Sequence, residues 1–157
     1  MNFQLTMLFN NKKETIMHGN KIIDCDTLPF VPPGWMIKEH RKGGKLEWVF
    51  EKISLYFSEE QEKGEGINGF ELQKKLETKQ VLNANVLDSL LINKDRIPVE
   101  WEDKWVFFWG TIYFCYCDQQ EILAVRCLRC SDGQWEGDYG VINFNFKCNF
   151  PAAILIN

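Results

Sequence analysis

A chain of 157 residues is the length of one ordinary domain, able to withdraw roughly 70% of its unfolded surface from water without disulfide staples. Leu, Ile, Val and Phe total 47 residues and no apolar run approaches the roughly 20 of a membrane helix, which excludes a disordered chain and a helical membrane protein. The 18 basic residues face 22 acidic ones, and the net charge of −4 arises wholly after residue 80, where 6 basic residues oppose 10 acidic, so a general electrostatic grip on nucleic acid is not expected.

In chain order, residues 1–11 have no early Lys or Arg and only a broken apolar patch, unlike a secretory leader. The six cysteines, Cys25, Cys115, Cys117, Cys127, Cys130 and Cys148, are therefore expected as free thiols in a cytoplasmic protein. Met17 offers an alternative start that would make residues 1–16 an extension; otherwise Phe3, Leu5 and Met7 suit an edge strand. Residues 21–26 (KIIDCD) read as a strand running into a loop that Pro29, Pro32, Pro33 and Gly34 keep non-helical. Gly43 and Gly44 then separate two strand-like runs, 36–42 and 45–50, a hairpin signal. Leu46, Trp48 and Phe50 have one parity and Ile53, Leu55 and Phe57 the other, which predicts a bulge or break near Glu51 and Lys52.

The charged stretch 58–66 reads as a loop, after which Asn68 and Glu71 stand at N-cap and N3 spacing for a helix over about 69–78. A second helix is expected from Asn83, with Val86, Leu87, Leu90 and Leu91 on its apolar face and Asn93 to Pro98 closing it. From Lys104 the chain reads as a β-meander: an aromatic strand, a polar turn at 118–121, a second strand, then an Asp132-Gly133 hairpin turn. A tight turn there places Arg129 opposite Glu136 and Cys130 opposite Trp135. The third strand covers 135–146 with Ile142, Phe144 and Phe146 on one face, and the tail PAAILIN is apolar enough to dock on the domain. The fold class these elements predict is α+β, a largely antiparallel sheet with a C-terminal β-meander packed against a two-helix hairpin that covers one sheet face.

The string QVLNANVLDSLLINKDRIPVEWEDKWVFFWGTIY, with HGNKIIDCD and a PGW loop before it, resembles a family of small uncharacterised bacterial proteins marked by VLNANVLD, IPxEW and FFWGTIY motifs. The resemblance spans about residues 18–153. It implies a single domain, and it carries no activity, cofactor or catalytic residue.

Four chemistries are worth weighing. Cys115-x-Cys117 and Cys127-x-x-Cys130 flank a turn and supply four thiolates of the kind that hold zinc, but residues three apart on a strand project to opposite faces, so inert buried thiols are the preferred reading and no cofactor is expected. A catalytic cysteine would need His18 or His40 as its base, and Cys25 lies between Asp24 and Asp26, whose charges disfavour a thiolate. Asp24, Asp26 and His40 together form the candidate acid/base set of a small hydrolase or nucleic-acid-processing enzyme. The cluster of Lys38, His40, Arg41, Lys42 and Lys45 around Gly43-Gly44 reads as a solvated hairpin tip before a phosphate contact.

The most unusual feature is aromatic: 22 residues are Phe, Trp or Tyr, concentrated in the meander. Alternation places Trp105, Phe107, Trp109 and Tyr113 on one face and Phe108, Ile112 and Phe114 on the other. Trp105, Trp109, Tyr113 and Trp135, with Asn143 and Asn145 as polar partners, are therefore the candidate ligand-binding residues of a non-enzymatic module that takes a protein partner or a small ligand. A self-associating subunit that buries the same face is the third reading.

Overall fold

The structure, a computed structural model, describes residues 21–157. The alternatives for Phe3, Leu5, Met7 and Met17, and the imidazole of His18, lie outside the described residues.

The longest element is strand β8 (Gln120–Ser131), and the Asp132-Gly133 turn that follows it sets the register of β9 (Gln134–Val141). Asp132 and Gly133 both have positive φ, 50° and 74°, the backbone a two-residue hairpin requires. The expected pairs Arg129 with Glu136 and Cys130 with Trp135 are formed, and the charged pair closes to 2.6 Å. The preceding turn sits at Asp118 and Gln119, both at positive φ, and Cys115 pairs with Ile122.

Opposite β9, the other edge of β8 carries β6 (Val106–Phe107) and then β7 (Thr111–Cys117). The sequence reads 104–117 as one alternating strand, but Phe107 pairs with Cys127 and Tyr113 with Ala124, so six residues oppose three. The odd excess flips the parity. Trp109 and Ile112 share a core with Phe107, and Tyr113 turns to the opposite face. Gly110 lies at the step because a Cβ there would come within 2.7–2.8 Å of Asn83, backbone included.

Beyond β7 the sheet continues into β2 (Met36–His40), and beyond β6 into β11 (Ala152–Leu155) and β4 (Ile53–Tyr56). The sheet has seven strands and is mixed: Ala152 pairs parallel with Phe107, whereas β11 runs antiparallel to β4. The tail thus docks as an interior strand. The Gly43-Gly44 segment is not a hairpin turn: β2 pairs with β7, and β3 (Lys45–Glu47) pairs with β1 (Ile22–Asp24). The parity change after Trp48 is absorbed by a 3₁₀ turn, Phe50–Lys52.

The charged stretch 58–66 contains a short helix, α1 (Glu59–Glu62), started by a capping box in which Ser58 and Gln61 exchange side-chain and backbone bonds. Asn68 caps α2 (Gly69–Leu76) by accepting from Phe70 N–H at 2.9 Å, and Asn83 caps α3 (Ala84–Ile92) by accepting from Asn85 N–H at 3.1 Å. The expected helical hairpin on one face is not formed. Leu72 and Leu76 of α2 join Phe107, Trp109, Val125 and Cys127, whereas Val86, Leu87 and Leu90 of α3 join Val106, Phe108, Leu128 and Trp101. The sheet separates the helices because the intervening segment runs along β11, with Leu82 N–H on Ala153 O and Leu155 N–H on Gln80 O. A short pair, β5 (Ile67–Asn68) and β10 (Asn145–Phe146), closes the α2 side.

Candidate functional site

The α2 side of β9 ends in a ring-lined groove, and Gly140 explains why it lies open. A Cβ on Gly140 would come within 2.8 Å of Phe107 Cε1, so the bare backbone lets the Phe107 and Phe146 rings, 4.9 Å apart edge to face, form the floor. Trp105 and Phe150 stack at 5.1 Å as one wall. The concavity holds about 440 Å³ and is edged by Asp138 and Asn145. The chain then turns, Phe144 N–H donating to Val141 O, and puts the Phe144 ring into solvent at 66% exposure. On the far side of Phe144 a second concavity of about 730 Å³ is lined by Phe70, Leu123, Val141 and Asn143. Val141 and Phe144 line both, so the two concavities adjoin at these residues.

Arg129 fixes the polar rim. Its guanidinium reaches Glu136 at 2.6 Å and Asp138 at 2.9 Å and lies 4.9 Å from the Trp105 ring centre. One face of Trp105 is taken by Phe150 and its ring also meets Arg129, so this Trp serves as wall rather than as a free stacking platform.

Of the six candidate ligand-binding residues, Trp105, Asn143 and Asn145 line the groove. Trp109 and Tyr113 do not: they are 2% and 1% exposed. Trp109 is enclosed in the α2-side core, and Tyr113 lies beneath the proline loop, its hydroxyl donating to Phe30 O at 2.8 Å. Burial moves the Tyr113 hydroxyl pKa upward, which keeps it neutral. Trp135 packs against the α3-side core, on the opposite sheet face. The residues that alternation missed are Phe70, Val141, Phe144 and Phe150. The signal was local, since Asn on both sides of Phe144 marks a turn that carries the ring out of the strand. The single face expected for Ile142, Phe144 and Phe146 is split, Ile142 and Phe146 being buried.

The acid/base set is tied into the fold by hydrogen bonds to backbone and to Thr111. His40 Nε2 lies 3.0 Å from Cys25 O, which can only accept, so Nε2 carries a proton, and Nδ1 lies 2.9 Å from the Thr111 hydroxyl. Thr111 Oγ1 in turn accepts from Ala84 N–H at 3.0 Å. Asp24 accepts from Asp26 N–H at 3.0 Å, and Asp26 accepts from Gly44 N–H at 2.8 Å. The chain brings His40 against the carbonyl of the residue between Asp24 and Asp26, yet both ring nitrogens are already bonded within the fold. Cys25 is buried, and burial first, then the charges of Asp26 and Asp24, push its thiol up to about 11, leaving it protonated and a poor nucleophile.

The four cysteines of the zinc alternative are spread apart: Cys127 is buried on the α2 side, Cys130 pairs with Trp135 on the other face, and Cys117 is exposed at the turn. Among the described residues no group of three or more His, Cys, Asp or Glu side chains is arranged to hold a metal ion. Burial also raises the Cys127 thiol pKa strongly. All six cysteines are free. No helix among the described residues is long and apolar enough to cross a membrane.

Comparison with family models, with curated proteins and with solved structures found no match to this chain.

Proposed function

We propose that this protein is a non-enzymatic interaction module that takes an extended peptide segment of a protein partner along β9, with apolar side chains of the peptide seated on either side of Phe144. One observation carries the reading: β9 pairs only with β8 among the described residues, none of its eight residues is buried, and the ring-lined groove begins where it ends. An open strand edge offers backbone donors and acceptors at the β repeat, and pockets beside it select alternate side chains. The free thiols support a cytoplasmic setting.

The test is selection of binders from a random peptide library displayed against the full-length protein. Selected sequences should share apolar residues at a spacing of two, and Phe144→Ser should weaken them at least tenfold without moving the unfolding midpoint. Absence of binders, or indifference to Phe144→Ser, refutes the reading. A mass that rises with concentration in the parent chain and not in Phe144→Ser would assign the groove to a second copy instead.

A further inference from the structure

Away from the ring-lined groove, and sharing no lining residue with it, a second cleft of about 420 Å³ opens between the loop after β2, the segment joining α2 to α3, and Leu155 of β11. Its polar rim is cationic: Arg41, Lys42 and Lys79 line it, and no carboxylate does. Among the described residues neither Lys42 nor Lys79 is in an ion pair; Lys79 lies 5.2 Å from the Tyr56 ring centre, which attracts the ammonium without neutralising it. Arg41 is held in place, Nε 3.3 Å from Glu39 and Nη1 3.4 Å from Leu76 O. Two ammonium groups without a carboxylate partner thus stand beside Arg41, whose charge is shared with Glu39, and in a chain of net charge −4 they are not a by-product of a basic composition.

The floor has the opposite character. Leu46, Leu82 and Leu155 line it together with Cys25, whose protonated thiol adds no charge. The side chain of Asn83 is fully engaged by Cys25 O, Arg41 O and Asn85 N–H, so it fixes the wall. A cationic rim over an apolar floor fits a ligand with an anionic head and a compact apolar body, and the volume is that of a small-molecule site. Two unpaired ammonium groups beside the N–H groups that Arg41 keeps free of Glu39 and Leu76 O match a dianionic phosphate better than a single carboxylate.

We propose that this cleft binds a small phosphomonoester, its phosphate held by Arg41, Lys42 and Lys79 and its apolar body resting on Leu46, Leu82 and Leu155. Single-stranded RNA is the less suited occupant, because it needs a basic track along several phosphates and this cleft is one isolated concavity.

The experiment is calorimetric titration of the full-length protein with phenyl phosphate, with inorganic phosphate and phenol as partial probes. Phenyl phosphate should bind more tightly than either fragment, and Lys42→Gln and Lys79→Gln should each weaken it about tenfold; Lys42→Gln should leave the unfolding midpoint unchanged, whereas Lys79→Gln also gives up the contact with the Tyr56 ring. No binding at millimolar phenyl phosphate overturns the proposal, as does equal affinity in the Lys42→Gln, Lys79→Gln double variant. Tighter binding of a single-stranded RNA oligonucleotide that displaces phenyl phosphate reassigns the cleft to nucleic acid and also overturns it.

Discussion

Thr111→Val tests the network at the start of α3. The substitution nearly keeps the volume of Thr111, which is fully buried, and exchanges its hydroxyl for a methyl. Ala84 N–H, also fully buried, then loses its acceptor, and His40 Nδ1 loses its hydrogen-bond partner. An orphaned buried donor costs roughly 1–3 kcal/mol, and the half-buried ring nitrogen falls at the low end of that range, giving about 3 kcal/mol in total. At this chain length that lowers the melting temperature by roughly 6–12 °C. Thr111→Ser keeps the hydroxyl and loses one buried methyl, about 1 kcal/mol. Urea unfolding of both variants at constant m-value measures the difference. The ordering is diagnostic: hydrophobic burial alone makes Ser the worse variant, whereas the hydrogen-bond network makes Val the worse. A Val variant as stable as the Ser variant refutes the network.

Asp88→Ala strands the Arg126 guanidinium, one-tenth exposed and 2.7 Å from Asp88, and removes the acceptor of Phe30 N–H; the expected loss is about 3 kcal/mol by urea unfolding, with faster proteolysis of the proline loop. Gly110→Ala forces a Cβ against Asn83 backbone, where no rotamer change relieves it, and should cost about 3 kcal/mol; an unfolding midpoint equal to the parent's would contradict the step between β6 and β7. Stability should fall at alkaline pH, because the Cys25 thiol is raised from 9.0 to about 11 in the folded protein, so unfolding releases a proton above pH 9. The stabilisation is intact below pH 9 and is lost as pH rises through about 11. Cys127 and Tyr113 act in the same direction, and Cys25→Ala should make the decline between pH 9 and 11 shallower. Parallel curves for Cys25→Ala and the parent would refute this.

Local chemistry was the legible part of the sequence. The Asp132-Gly133 turn needs two positive-φ residues and the neighbouring charges agree with its register, while Asn68 and Asn83 announce helix starts that no distant contact overrides. What the sequence hid was set by distant partners. Nothing in the continuous β-forming run around Gly110 marks three extra residues, because the step exists to clear Asn83, which lies far away in the chain. The placement of α2 and α3 on opposite faces depends on residues 80–82 bonding to β11, a strand near the far end of the chain. The binding candidates divided for the same reason: Asn143 and Asn145, expected on the polar face of a strand, reach the groove through a turn after Val141, whereas the sealing of Tyr113 depends on Phe30 and that of Trp109 on Phe146. His40 looked available as a base because its acceptor, a backbone carbonyl, leaves no trace in side-chain composition.

β11 lies between β6 and β4, so one arm of the sheet cannot be completed until residues 152–155 have left the ribosome. β4 is made on the order of a hundred residues earlier, so its pairing with β11 closes over a long separation, whereas the β8–β9 hairpin joins strands that are neighbours in the chain. Ile53 and Leu55 therefore gain their strand partners, Leu155 and Ala153, only from the far end of the given sequence.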